Sequence, residues 1–189
     1  MKCITKFFFL WAMCLVFVPS QIGAEGEAKG KELIDKVCQG SGVKDLCLSI
    51  LSSDPGSQEE NENGLAMIVL STANKNATDI IRHIKLLETN DSLAPMVQQG
   101  LADCRDTYQD AEDQLEDAVA SLVEGNTKDA QKWLQAALAA SDTCEDSLKG
   151  NENILLEKTE AFRQLCSMSL SIVKNLPAAA AASAPAEAN

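Results

Sequence analysis

Aromatic residues and histidine are scarce in this chain of 189 residues, and basic residues are outnumbered. The sequence has five Phe, two Trp, one Tyr and a single His. A core with so few rings must be built from aliphatic and alanine side chains, which suits closely packed helices better than a sheet. The chain has 16 basic and 28 acidic residues. We therefore expect neither nucleic acid nor an anionic membrane surface as a partner, because both repel an acidic protein.

The motifs of common catalytic and metal sites are also absent. There is no GxSxG, HExxH or CxxC sequence and no glycine-rich phosphate loop. The histidine, His83, lies in a predicted helix beside an apolar seam, where a surface or boundary residue is far more common than a catalytic base. Pairs of carboxylates are frequent, but they carry no information in so acidic a chain. The sequence predicts a protein that is not an enzyme and needs no metal or cofactor.

The one long apolar run, Phe7–Val18, covers 12 residues. It follows Lys2 and Lys6 and ends in small residues up to Ala24, which is typical of a secretory signal peptide over residues 1–24. The run is shorter than the ~20 residues of a membrane span. Without the two lysines, 14 basic and 28 acidic residues remain, a net charge of −14. Residues 25–176 then suit one domain, and the Ala/Pro-rich residues 177–189 predict a flexible tail.

Helical periodicity dominates the rest of the chain. Apolar residues alternate at spacings of four and three from Val97 to Leu122, and again from Ala130 to Leu148. Gly125 and Asn126 permit a tight turn between the two seams, so these helices must be antiparallel. We predict an all-α fold, an up-down-up-down four-helix bundle over residues 59–176 with helices 59–88, 95–123, 128–148 and 154–176. A short helical hairpin at residues 29–52 precedes it.

Five cysteines lie beyond the signal peptide: Cys38, Cys47, Cys104, Cys144 and Cys166. Cys104 and Cys144 are equidistant from the turn of the central hairpin and lie on inward seams, so a disulfide is expected in an oxidising compartment. Cys38 and Cys47 can pair if the chain turns at residues 40–42, and local pairing is the simplest of the possible connectivities. For Cys166 a buried, inert thiol is favoured over an intermolecular disulfide.

Two further patterns are found on the predicted surface. Five aspartates follow spacings of three and four on the outer side of the second bundle helix: Asp103, Asp106, Asp110, Asp113 and Asp117. This row fits a solvated face and a binding surface equally well. Glycosylation sequons begin at Asn76, within a helix, and at Asn90, in a loop. The loop makes Asn90 the better acceptor.

Several short elements occur together in this chain: Cys38-x8-Cys47, Ser53-Asp54-Pro55, Cys104 followed by Tyr108, and the run from Ser141 to Asp146. In this order and at these distances they resemble one family, the plant invertase and pectin methylesterase inhibitors. The resemblance covers roughly residues 29–176. It implies a four-helix bundle with an N-terminal hairpin, the two disulfides named above, a fifth unpaired cysteine, and residence in the plant cell wall space (the apoplast).

The family has two branches. Invertase inhibitors resemble one another in a Pro-Lys-Phe element at the central turn, where this chain has Thr127-Lys128-Asp129. In pectin methylesterase inhibitors, acidic residues of the second bundle helix and residues around the fourth cysteine face the enzyme. They match Asp106, Asp110, Asp113, Thr143 and Asp146, which favours the methylesterase branch. Ser147-Leu148 departs from the family, which often has an aromatic residue second in this pair.

The resemblance implies a secreted monomer that occludes the cleft of pectin methylesterase in a 1:1 complex, with acid invertase as the alternative target. Two other classes remain open from the residues alone. One is a structural or storage protein for which the aspartate row is only solubilising. The other is a carrier of a small apolar ligand, which the alanine-rich seams disfavour because they bring helices close together.

Overall fold

The computed structural model describes residues 22–176, and for residues 22–29 it describes the helical backbone alone. All regular structure in this part of the chain is helical, which confirms the predicted fold class. The elements are α1 (Ile22–Gln39), α2 (Lys44–Ser53), α3 (Glu62–Leu87), α4 (Pro95–Val123), α5 (Thr127–Ser147), a 3-10 turn (Glu152–Ile154) and α6 (Leu156–Lys174). No helix within residues 22–176 combines the length and apolar character that crossing a bilayer requires.

Helices α3–α6 form a closed four-helix ring. Helix α3 packs against α4 and α6, and α5 packs against the same two helices. Short loops join successive helices, so each runs antiparallel to the next. Local chemistry sets the helix ends. Asn61 caps α3 by accepting from the Gly64 N–H at 3.0 Å, Pro95 opens α4, and Gly125 supplies the positive φ of 75° in the α4–α5 turn.

The predicted apolar seams form the core. Every seam residue of α4 and α5 is buried, and the largest buried side chains at the centre are Tyr108 and Phe162. Their rings meet edge to face, with centroids 5.1 Å apart. Leu87 and Leu176, which the pattern also placed in seams, are only partly buried because they lie at helix ends. The centre of the bundle is thus filled by side chains.

Helices α1 and α2 form the N-terminal hairpin. A disulfide joins Cys38 and Cys47, whose Cα atoms are 5.4 Å apart. The turn between the helices contains Gly42 with a φ of 79°. Ser171 of α6 donates to the carbonyl of Gly40 at 2.5 Å, so the hairpin is attached to the end of the bundle where α6 finishes.

Several predicted boundaries are wrong. Within the described residues α1 spans Ile22–Gln39, so it extends N-terminally beyond residue 29, where the predicted hairpin starts. Helix α3 begins at Glu62 rather than at residue 59, because Ser57 bonds back to the carbonyl of Leu51 and holds residues 54–59 in turns. Helix α6 begins at Leu156 after the 3-10 turn. The predicted signal peptide up to residue 21 and the predicted tail of residues 177–189 lie outside the described residues.

Candidate functional site

Among the described helices, α4 and α5 make the most extensive contact with each other. The candidate site lies on this hairpin. The disulfide between Cys104 and Cys144 brings their Cα atoms to 4.6 Å, and both cysteines are fully buried. One turn earlier on α4, Gly100 lies against α5 so closely that a Cβ atom there would be 2.4 Å from the carbonyl oxygen of Ser147. The two helices are therefore held in one register by a covalent bond and by a backbone contact.

Gly100→Ala is expected to lower the free energy of unfolding by about 1–2 kcal/mol, because overpacking against a backbone atom outweighs the helix preference of alanine. Thermal unfolding followed by circular dichroism measures the change. Gly64→Ala is the matched control, since it is also a buried helical glycine. There the added Cβ meets only the flexible side chain of Glu60. Equal stability of the two variants would contradict the close approach of α4 and α5.

The five aspartates of the row on α4 are all exposed, on the side of the helix opposite its core seam. Two of them have side-chain partners on the same helix. Asp103 accepts from Gln99 at 2.8 Å, and Asp106 accepts from Arg105 at 3.2 Å. Asp110 and Asp113 have no ion-pair partner among the described side chains of residues 30–176. The row therefore presents a largely uncompensated negative charge.

Helix α5 adds Thr143 and Asp146 to this surface. Both are exposed on its outer face, and Thr143 donates to the carbonyl of Ala139 at 3.0 Å, which fixes its hydroxyl against the helix. We call the five α4 aspartates with Thr143 and Asp146 the acidic surface. The structure thus places all five sequence-predicted enzyme-facing residues on the outer faces of two helices that one disulfide joins.

The neighbouring carboxylates of α5 have a different role, which the sequence did not reveal. Asp142 and Glu145 point toward α6, where Arg163 binds them at 3.0 and 2.8 Å and also binds Glu160 at 2.7 Å. Thr159 donates to the same oxygen of Glu145 at 3.2 Å. The hydrogen bond to Glu145 is the main reason that the pKa of Arg163 is raised. Asp142 and Glu145 therefore stabilise the packing of α5 against α6, whereas Asp146 belongs to the acidic surface.

Arg163→Met is expected to cost about 1–2 kcal/mol of stability, because it leaves the half-buried Glu145 without its cation. For a domain of this size the melting temperature would fall by roughly 2–8 °C. Arg82→Met is the matched control, since the pair of Arg82 with Asp79 is highly exposed, at 67% and 56% of the two side chains. An equal loss in both variants would contradict a structural role for the Arg163 cluster.

The turn between α4 and α5 differs in character from the acidic surface. Asn126 caps α5 by accepting from the N–H of Asp129 at 3.2 Å, and Lys132 binds Asp129 at 2.6 Å. The hydrogen bond from Lys132 holds the pKa of Asp129 below its usual value. The residues Thr127, Lys128 and Asp129 form the first turn of α5. The side chains of Asn126 and Asp129 thus mainly stabilise the N-terminus of α5.

Leu148, where the resembling family often has an aromatic residue, is 3% exposed. Its side chain lies beside Gly100 at the α4–α5 contact. The departure from the family pattern therefore changes core packing and not the exposed acidic surface.

A metal site requires several ligating side chains close together. No group of three or more His, Cys, Asp or Glu side chains in residues 22–176 could hold a metal ion. His83 is half-buried, and its pKa is lowered by that burial and by the nearby charge of Lys158. A surface hollow of about 210 Å³ lies between α1 and α6 and is lined by Lys36, Val37 and Ile172.

Cys166 has no disulfide partner and is completely buried. Burial raises the pKa of its thiol, so the reactive thiolate is suppressed. We expect no reaction of a purified chain starting at Glu25 with Ellman's reagent in the native state, and release of one thiol equivalent in guanidinium chloride. Cys166→Ser should remain monomeric in size-exclusion chromatography. A reducible dimer of the unmodified chain, absent from the variant, would contradict the prediction.

Known proteins are similar to this chain in sequence and in fold. The model of the plant invertase/pectin methylesterase inhibitor family matches residues 32–172. A "putative invertase inhibitor" of Platanus orientalis is 29% identical over 174 residues, covering 89% of this chain and 98% of that protein. Another of the same name from Platanus acerifolia is 31% identical, covering 71% of this chain and 76% of that protein.

Two further comparisons concern proteins named for pectinesterase inhibition. Pectinesterase inhibitor 3 of Arabidopsis thaliana is 26% identical and covers 79% of each chain. A crystal structure of a mutant pectin methylesterase inhibitor from Arabidopsis superposes with a TM-score of 0.65 at 24% identity, over 76% of this chain and 97% of that one. At that identity, the likeness concerns the fold.

Proposed function

The chain belongs to the plant invertase/pectin methylesterase inhibitor family, and from that premise we propose that it inhibits pectin methylesterase with its acidic surface. The observation that carries this proposal is the arrangement of Asp106, Asp110, Asp113, Thr143 and Asp146 on the outer side of the α4–α5 hairpin. These are the positions that match the enzyme-facing residues of the methylesterase branch, and they keep the same chemistry.

The proposed mechanism is occlusion. The acidic surface lies over the substrate cleft, pectin cannot enter, and no bond is made or broken on the inhibitor. Pectin methylesterase releases carboxylates from its polymer, so its cleft must accept anionic groups. A surface rich in aspartate is suited to such a cleft. The hairpin is rigid, because the disulfide at Cys104 and the contact at Gly100 fix its register. A rigid surface loses little conformational entropy on binding.

A 1:1 complex in the cell wall space follows from this proposal. The chain carries two disulfides, which form and persist in an oxidising compartment. Its acidic charge favours a basic partner surface and speeds encounter with one. The rings of Tyr108 and Phe162, buried and in contact at the centre of the described bundle, support an inhibitor over a carrier of an apolar ligand, because a carrier needs an internal cavity.

Invertase inhibition is the second candidate, and the names of the two Platanus relatives favour it. Against it, the central turn has Thr127-Lys128-Asp129 in place of Pro-Lys-Phe. The side chain of Asp129 is held by Asn126 and Lys132. A turn whose polar groups start a helix offers little to an active site.

Parallel inhibition assays against purified pectin methylesterase and purified acid invertase test the proposal. We expect stoichiometric inhibition of the methylesterase and none of the invertase at the same concentration. Inhibition of invertase alone would move the function to the second candidate. Inhibition of neither enzyme would favour a structural role without an enzyme target.

A further inference from the structure

The fold places the two glycosylation sequons in very different surroundings. The first, Asn76-Ala77-Thr78, lies in the middle of α3, and the second, Asn90-Asp91-Ser92, lies in the loop between α3 and α4. An Asn-X-Ser/Thr sequon is a site for a bulky sugar chain only where the folded surface can accommodate it. The surroundings of each asparagine therefore indicate which of the two can carry a glycan.

Asn90 is exposed three residues beyond the end of α3. Its backbone N–H donates to Leu87, and its side-chain oxygen accepts from the N–H of Ser92 at 3.1 Å. Within the described chain no hydrogen bond engages its amide nitrogen Nδ2, the atom that would carry a sugar. The loop thus turns the acceptor side chain toward solvent with the acceptor nitrogen unoccupied.

Asn76 is half-buried, and its side-chain oxygen is fully shielded from solvent without a hydrogen-bond partner. The sequon hydroxyl is also engaged, because Thr78 donates to Glu112 of α4 and to the carbonyl of Asn74. Residues two apart on a helix project from different sides, so this contact engages the sequon hydroxyl and not Asn76 itself. A half-buried asparagine within a helix, whose sequon hydroxyl is held by the neighbouring helix, is less suited to a glycan than the exposed loop at Asn90.

We propose that Asn90 carries an N-linked glycan and that Asn76 does not. In the transfer, Nδ2 of Asn90 forms a bond to the first sugar carbon of an oligosaccharide linked to a lipid pyrophosphate. The carbon–oxygen bond to the pyrophosphate breaks, the lipid pyrophosphate leaves with the electron pair, and the amide nitrogen gives up one proton. The two disulfides agree with this route, because they form in the same secretory compartment.

The glycan has a defined place in the fold. The α3–α4 loop lies at the end of the bundle opposite the α4–α5 turn. Two large apolar side chains flank it, Leu86 at 65% exposure and Met96 at 75%. A glycan on Asn90 would lie at this end, opposite the end of the bundle where the N-terminal hairpin is attached. The inference is independent of which enzyme the protein inhibits.

The full chain secreted from plant cells provides the test. Treatment with peptide N-glycosidase A in ¹⁸O-water converts each glycosylated asparagine to a labelled aspartate. Trypsin then separates the sequons, since cleavage gives one peptide of residues 76–82 and another of residues 86–105. We expect the label in the second peptide and none in the first. Label in the first peptide, or an unlabelled second peptide, would overturn the proposal.

Two matched variants at Ser92 complete the test. Ser92→Ala keeps Asn90 but removes the hydroxyl that the sequon requires, and Ser92→Thr keeps the sequon. We expect the first variant to run at the mass of the unmodified polypeptide and the second to keep the glycosylated mass. Because Ser92 is exposed, both should have the same melting temperature after deglycosylation. A glycosylated Ser92→Ala protein would count against Asn90 as the acceptor.

Discussion

Replacing Asp110 and Asp113 together by alanine is expected to weaken inhibition of pectin methylesterase by tenfold or more. Both side chains are exposed on the acidic surface, and neither takes part in the core or in an ion pair among the described side chains of residues 30–176. A charge-assisted contact typically contributes about 1.5–3 kcal/mol, and tenfold corresponds to about 1.4 kcal/mol. The fold should be spared, and relief of like-charge repulsion should leave the melting temperature equal or slightly higher.

Surface plasmon resonance separates the ways in which the contact can act. Charges at the rim of an interface mainly change the association rate and its salt dependence, whereas buried charges change the dissociation rate. Glu116→Ala with Glu124→Ala is the matched control, since it removes the same number of exposed charges from α4 and its end outside the acidic surface. Equal weakening of inhibition by both double variants would show that the effect depends on net charge alone. Full inhibition by the aspartate double variant would indicate that the aspartate row is only a solvent-exposed face and does not bind the enzyme.

Removing the central disulfide should have the largest effect on stability. Joining Cys104 to Cys144 spans 40 residues, and joining Cys38 to Cys47 spans nine. In the chain-entropy model, bonds closing loops of these lengths stabilise the fold by about 4 and about 2.5 kcal/mol. Paired alanine substitution of Cys104 and Cys144 should therefore lower the denaturation midpoint more than paired substitution of Cys38 and Cys47.

Urea unfolding followed by circular dichroism gives both free energies. The central pair also fixes the register of α4 against α5, so its removal should weaken inhibition even where the protein remains folded. Loss of the Cys38–Cys47 bond should leave inhibition nearly unchanged, because α1 and α2 contribute nothing to the acidic surface. Equal losses of unfolding free energy in the two double variants would contradict the dependence on loop length.

The sequence was sufficient to predict the bundle because its signal is periodic. The seam of α4 from Val97 to Leu122 predicts a buried face, and every residue of that seam is buried. The cysteine pairs joined in the structure are those that the position of the turns predicts. Such features depend on local spacing and on short loops, both of which can be read from the chain directly.

Features that depend on contacts between helices could not be predicted. The sequence gives no sign that Arg163 selects Asp142 and Glu145, since the choice depends on how α6 is rotated against α5. The need for glycine at position 100 likewise follows from the approach of Ser147, which lies in another helix. The predicted start of α3 is three residues too early, because the hydroxyl of Ser57 donates to the carbonyl of Leu51 in α2 and extends the turn.

The two disulfides do not overlap along the chain, and this has a consequence for biogenesis. The five cysteines of residues 25–189 emerge from the ribosome in the order 38, 47, 104, 144, 166. If each thiol is oxidised with the next one to appear, both native bonds form and Cys166 is left over, to be enclosed as α6 docks. The native connectivity is therefore the one that sequential pairing during synthesis would give, and burial of Cys166 removes the one free thiol among the described residues that could attack either bond.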